Sequence, residues 1–140
     1  MADSPHAPAH RPRPLSPHLM HYRWTPTMAS SITHRFSGIG LGLGMAVLAW
    51  WLFAAARGPE PFMTFLNLAE TPLGQVILFG FAWALSYHLL NGIRHLIWDL
   101  GYGYDPKASN MWSIVIYVFS VLIPVGLFAL AYTGNGGYYL

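Results

Sequence analysis

The segment LGQVILFGFAWALSYHLLNGIRHLIW, residues 73–98, decides the fold. From Leu73 to Tyr87 it carries no charged side chain. As an α-helix rising 1.5 Å per residue it is about 39 Å long, more than the roughly 30 Å of hydrocarbon in a bilayer. Two further stretches, residues 36–56 and 111–133, are also apolar and long enough to cross. The expectation is an all-α membrane protein with three transmembrane helices, over about 26–57, 72–100 and 110–133. Thr25–Pro26 and Thr71–Pro72 each pair an N-cap with a first-turn proline, and Asn110 is the candidate cap of the third helix. Glycine-rich breaks at 58–61, 101–103 and 134–137 end the three helices. The intervening residues 58–71 read as a loop, and Pro124 as a kink whose freed carbonyl Ser120, a neighbouring helix or water can satisfy.

Composition points the same way. Hydrophobic residues make up 54% of the 140 and charged residues 9%, against about a quarter charged in soluble domains. That deficit excludes an ordinary water-soluble globule. The absence of cysteine excludes disulfides, zinc ribbons and cysteine-ligated iron–sulfur clusters. A formal charge of +2, spread along the chain, does not suggest nucleic acid as a partner. Residues 1–24, rich in proline and histidine, read as a solvated tail, and 25–140 as the anchor domain.

Orientation follows from the basic residues. Arg11, Arg13, Arg23 and Arg35 lie before or at the mouth of the first span, and Arg94 and Lys107 at the far end of the second. The connection between the first two spans offers only Arg57. The positive-inside rule places the N-terminus in the cytoplasm and the C-terminus outside. Trp24, Trp98 and Trp112 then mark the inner interface, with Trp50, Trp51, Tyr138 and Tyr139 at the outer one.

The polar groups of the second span fall in a pattern. His88, Asn91, Gly92, His95 and Asp99 share one helical face, with Arg94 off that stripe and free to snorkel toward the interface. An ionisable residue at the depth of His88 is a functional hypothesis by default. Two readings fit it: a hydrogen bond to another helix, or an axial ligand of a haem iron beside the side-chain-free surface of Gly92. His95 lies on the same helix about 10 Å away and cannot share that iron. His34 is placed near the inner surface rather than at the depth of His88, so a second ligand is expected from a partner chain. The first span carries SSITHRFSG, residues 30–38, in which Ser31, His34, Arg35 and Gly38 share a face. Arg35 and Ser31 could hold an anion such as a haem propionate, or a quinone carbonyl; equally, Arg35 could anchor the helix to lipid phosphate. Gly38, Gly40, Gly42 and Gly44 form overlapping GxxxG patterns, read as close helix packing.

Three segments together carry a family resemblance: RPLSPHL at 13–19, SITHRFSG at 31–38 and HLLNGIRHLIWDLG at 88–101. In order, spacing and three-helix layout the chain resembles the cytochrome b subunit of succinate dehydrogenase, a membrane anchor of respiratory complex II, in its mitochondrial and alphaproteobacterial form. The resemblance implies one haem b with His88 as the protein's ligand to the iron and the other ligand from a second membrane-anchor subunit. It places His34, Arg35 and His95 in the haem propionate region, and Ser31 and Arg35 in the ubiquinone pocket. It further implies flavoprotein and iron–sulfur subunits as partners. The location implied is the bacterial cytoplasmic membrane, or the mitochondrial inner membrane in a eukaryote. The chain itself has neither a dinucleotide fingerprint nor cysteines, so it would be a subunit of the oxidoreductase and not catalytic alone. The rival reading is a non-redox helical scaffold of a transporter complex.

Overall fold

A computed structural model describes residues 23–134. The tail motif at 13–19, the basic residues Arg11 and Arg13, and the interfacial Tyr138 and Tyr139 lie outside the described residues. Four helices follow one another: α1 (Pro26–Arg57), α2 (Pro59–Ala69), α3 (Pro72–Asp99) and α4 (Pro106–Gly134). Of these α1, α3 and α4 are long and apolar enough to cross a membrane.

The starts of the helices obey simple capping chemistry. Thr25 accepts a hydrogen bond from the Met28 amide at 3.3 Å, and Thr71 from the Gly74 amide at 3.1 Å, each just before a proline that has no amide to satisfy. The third span repeats the device one turn earlier than expected. Asp105 accepts from the Ala108 amide at 2.9 Å and Pro106 opens α4, so Asn110 lies inside the helix and is not its cap. Its carboxamide instead ties α4 to the start of α1, accepting from the Thr27 hydroxyl at 2.8 Å.

The connection expected to be a loop contains α2. Gly58, at φ 113°, takes a conformation that side chains disfavour and so turns the chain sharply out of α1. Eleven residues of α2 are about 16 Å long, too short to span. Phe65 is the residue α2 buries, its ring edge-on to Trp50 with centroids 4.9 Å apart. Glu60, Thr64 and Asn67 remain exposed. An apolar stripe on one side only makes it a surface helix lying over α1 and α3.

The three long helices turn their polar small residues inward. On α4, Ser109, Ser113, Ile116, Ser120 and Pro124 are buried, while Leu122, Val125 and Leu127 are exposed. That inversion suits a bilayer, where apolar side chains gain nothing by leaving lipid and small residues let backbones approach. The glycine pattern of α1 is used selectively. A methyl group on Gly44 would run into the Phe81 ring, and one on Gly38 would lie 3.1 Å from His88 Cε1. Gly40 and Gly42 face open space. Pro124 sits within a continuous α4, and the Ser120 hydroxyl donates to the Tyr117 carbonyl at 2.8 Å rather than covering the carbonyl that Pro124 frees.

Candidate functional site

The first turns of α1 meet the last turns of α3, and the meeting has two sides. The inner side is a hydrogen-bonded network centred on Ser30, which has no exposed surface. Its hydroxyl donates to Asn91 Oδ1 at 3.0 Å and accepts from Arg94 Nη2 at 3.1 Å. The Tyr87 hydroxyl lies 2.9 Å from Ser30 Oγ and 3.0 Å from its carbonyl. Arg94 also donates through Nη1 to Ser113 on α4, 2.5 Å away. One guanidinium therefore joins all three long helices.

This corrects the expectation for Arg94. It does not snorkel: the residue is only 6% exposed, with its guanidinium carbon 4.5 Å from the centre of the Trp98 ring. Burying an ion costs several kcal/mol, about, unless its donors are satisfied. Two serine hydroxyls and an aromatic face offset part of that cost, while Arg94 Nε has no partner among the described residues. The physical reason is rotational. Tyr87, Asn91 and Arg94 are spaced i, i+4 and i+7, and this stripe is the one that α3 turns toward α1 and α4. Asn91, expected on the histidine face, belongs to this inner stripe and touches the other through its amide, 3.4 Å from His95 Nε2.

The outer side holds the histidines. The rings of His34 and His88 are stacked, with centroids 3.9 Å apart and planes inclined by 12°. His95 follows at 5.4 Å from His34. The expected difference in depth between His34 and His88 is thus wrong. His34 is eight residues into α1 and His88 eleven from the end of the antiparallel α3, about 12 and 16 Å by helical rise. The two rings still do not form a ligand pair as they stand, because iron bonds to imidazole in the ring plane and these rings offer each other their faces.

The donor set fits one axial bond to a haem iron. His88 Nδ1 is held at 3.1 Å by Ser37 Oγ. The opposite nitrogen, Nε2, has no hydrogen-bond partner among the described residues and is not one of the buried unpartnered nitrogens, which include His34 Nδ1 and Arg94 Nε. One helical turn further along α3, Gly92 adjoins open space, where a methyl group would meet nothing within 4 Å. A flat macrocycle needs such a surface. Among the described residues no group of three or more His, Asp or Glu side chains is arranged to hold a bare metal ion.

Ser31 and Arg35 stand one turn apart on α1 and take no part in the Ser30 network. Arg35 is exposed, and neither side chain bonds to another described residue. Their donors are open to a ligand. Two apolar cavities lie elsewhere: one of about 330 Å³ lined by Gly44, Trp51, Phe65 and Phe81, and one of about 310 Å³ between α3 and α4 backed by Arg94 and Trp98. These are grooves between packed helices and include none of Ser31, Arg35 and His88.

Comparison with known proteins adds an independent line. A model of the succinate dehydrogenase/fumarate reductase transmembrane subunit matches residues 9–127. The succinate dehydrogenase cytochrome b556 subunit of Paracoccus denitrificans is 41% identical over 113 residues, 81% of this chain and 87% of that protein. The cytochrome b556 subunit of Rickettsia prowazekii is 38% identical over 111 residues, covering 79% and 86%. The mitochondrial cytochrome b560 subunit of Sus scrofa is 41% identical over 123 residues, covering 84% and 71%. The family match takes in α1, α2, α3 and most of α4, and with them every histidine of the cluster. The chain belongs to the family of succinate dehydrogenase/fumarate reductase transmembrane subunits.

Proposed function

We propose that this multi-pass membrane subunit helps bind haem b and build the ubiquinone-reducing site of a succinate:ubiquinone oxidoreductase. The observation that carries the reading is the His88 imidazole, fixed through Nδ1 and without a partner at Nε2 among the described residues, one helical turn before Gly92. His88 would be the chain's ligand to the iron, with the second from another membrane-anchor subunit. A bound haem supplies one-electron redox chemistry at this level of the bilayer. His34, Arg35 and His95 would face its propionates, and Arg35 with Ser31 would donate to a quinone oxygen. A flavoprotein subunit would oxidise succinate, and an iron–sulfur subunit would carry the electrons to the membrane. The basic residues at the α1 start and α3 end support a cytoplasmic N-terminus.

The test is the optical spectrum of the purified complex. His88→Leu is expected to remove or alter the low-spin b-type spectrum, whereas His95→Leu perturbs it less. A spectrum unchanged in His88→Leu would rule out direct ligation. A colourless wild-type complex would favour the non-redox scaffold.

A further inference from the structure

We infer that Ser37 is a positioning residue that holds His88 in the tautomer with the proton on Nδ1, so that the lone pair of Nε2 faces outward. Its significance for haem rests on the ligand reading of His88, but the tautomer itself does not. Ser37 has one hydroxyl hydrogen, and its oxygen lies 2.8 Å from the His34 carbonyl, which can only accept. With the hydrogen directed there, Ser37 Oγ can only accept from His88 Nδ1, 3.1 Å away. Nδ1 must then carry the proton and Nε2 the lone pair. The reverse arrangement would turn the hydroxyl from the His34 carbonyl to Nδ1, giving up the shorter of its two contacts, 2.8 Å against 3.1 Å.

Two further contacts hold the ring in this pose. Gly38 lies under the neighbouring ring atom, since a methyl group there would come within 3.1 Å of Cε1. The edge carrying Nδ1 and Cε1 therefore rests on consecutive residues of α1. The His34 ring covers one face at 3.9 Å. Ser37 itself is buried, so its hydroxyl has little water to turn to. The same hydrogen bond would act on a ligated imidazole: an acceptor at the far nitrogen raises the basicity of the ligating one and favours the ferric state.

The experiment has two arms. In the first, the full chain is labelled with ¹⁵N-histidine, reconstituted without haem, and read by NMR, with His88→Gln identifying the His88 resonances. The expected result is a protonated Nδ1 and an unprotonated Nε2 in the wild type, a mixed population in Ser37→Ala, and recovery in Ser37→Thr, which keeps the hydroxyl. A wild-type Nε2–H tautomer, or no change in Ser37→Ala, overturns the inference. The second arm takes the assembled complex and records electron paramagnetic resonance and the haem midpoint potential. Ser37→Ala is expected to shift the low-spin g values and raise the potential, with Ser37→Thr again restoring both. If His88→Gln abolishes the low-spin signal and Ser37→Ala leaves it unmoved, the action of Ser37 on the ligand is disproved. If His88→Gln itself leaves that signal intact, the ligand reading has failed, and the NMR arm still decides the tautomer.

Discussion

At the scale of single residues, two arginines on neighbouring helices have opposite fates. Arg35 is exposed with open donors, so its removal should cost binding rather than folding. A hydrogen bond to a charged group is worth about 1.5–3 kcal/mol, roughly ten- to a hundredfold in rate or affinity. Arg35→Leu is expected to lower quinone-linked succinate oxidation by that factor and spare activity measured with a soluble dye upstream; Ser31→Ala should do less. Equal loss of both activities would make Arg35 an assembly residue, and no loss a lipid anchor. Arg94 is buried between Ser30, Ser113 and Trp98, and only a planar fork can meet all three. Arg94→Lys should therefore destabilise the solubilised complex by about 1–3 kcal/mol, the cost of a buried polar group left unpaired. Thermal unfolding unchanged from wild type would refute that. The residues bearing ionisable groups were legible from the sequence, because charge in a membrane span is conspicuous. Ser30 and Ser113, which meet the Tyr87, Asn91 and Arg94 stripe, were not, nor was Ser37, which meets His88 on the other side. Ser30 and Ser31 differ by 100° of helical rotation, and sequence alone does not say which one faces the neighbour.

At the scale of helices, what could be read was whatever each segment determines for itself. The three spans, the two threonine–proline starts and the glycine breaks after α1 and α3 depend on local chemistry and lie within a few residues of their expected places; the break expected at 134–137 runs beyond the described residues. What depends on neighbours could not be read. α2 forms because Phe65 has Trp50 to pack on, and its short apolar stripe carries little weight without that partner. The depth of His34 against His88 depends on the register of α1 on α3, which is set by contacts such as Ser30 to Asn91. The glycine repeat likewise does not reveal which member is tight. Gly44 lies against Phe81, so Gly44→Ala should force the ring aside and destabilise the complex by about 1–3 kcal/mol, typical of an overpacked interface. Pairing it with Phe81→Leu should recover much of that loss. A double variant no more stable than Gly44→Ala would place the strain elsewhere.

At the scale of the whole molecule, the three spans put everything chemical at one end. Thr27 on α1 touches Ser109 and Asn110 on α4, and the last turns of α3 carry Arg94 and His95 beside them. The opposite end holds α2 and the turn at Gly58. Among the described residues Arg23, Arg35, Arg94 and Lys107 belong to the first end, and Arg57, with Glu60 and Glu70, to the second. By the retention of lysine and arginine on the cytoplasmic side, the proposed orientation of the bundle has the histidines inward. That orientation would let a soluble electron donor approach the proposed quinone site, since donor and quinone would otherwise be separated by about 30 Å of hydrocarbon. The prediction is tested with a reporter that works only after export. Fused to Leu140, it should be active, and inserted after Gly103 it should be silent, since the proposed orientation puts the α3–α4 connection on the cytoplasmic side. The reverse pattern would invert the bundle and leave the histidine cluster facing away from any cytoplasmic donor. Activity at both positions would mean that α4 does not cross, and the argument from shared depth would then hold only for α1 and α3.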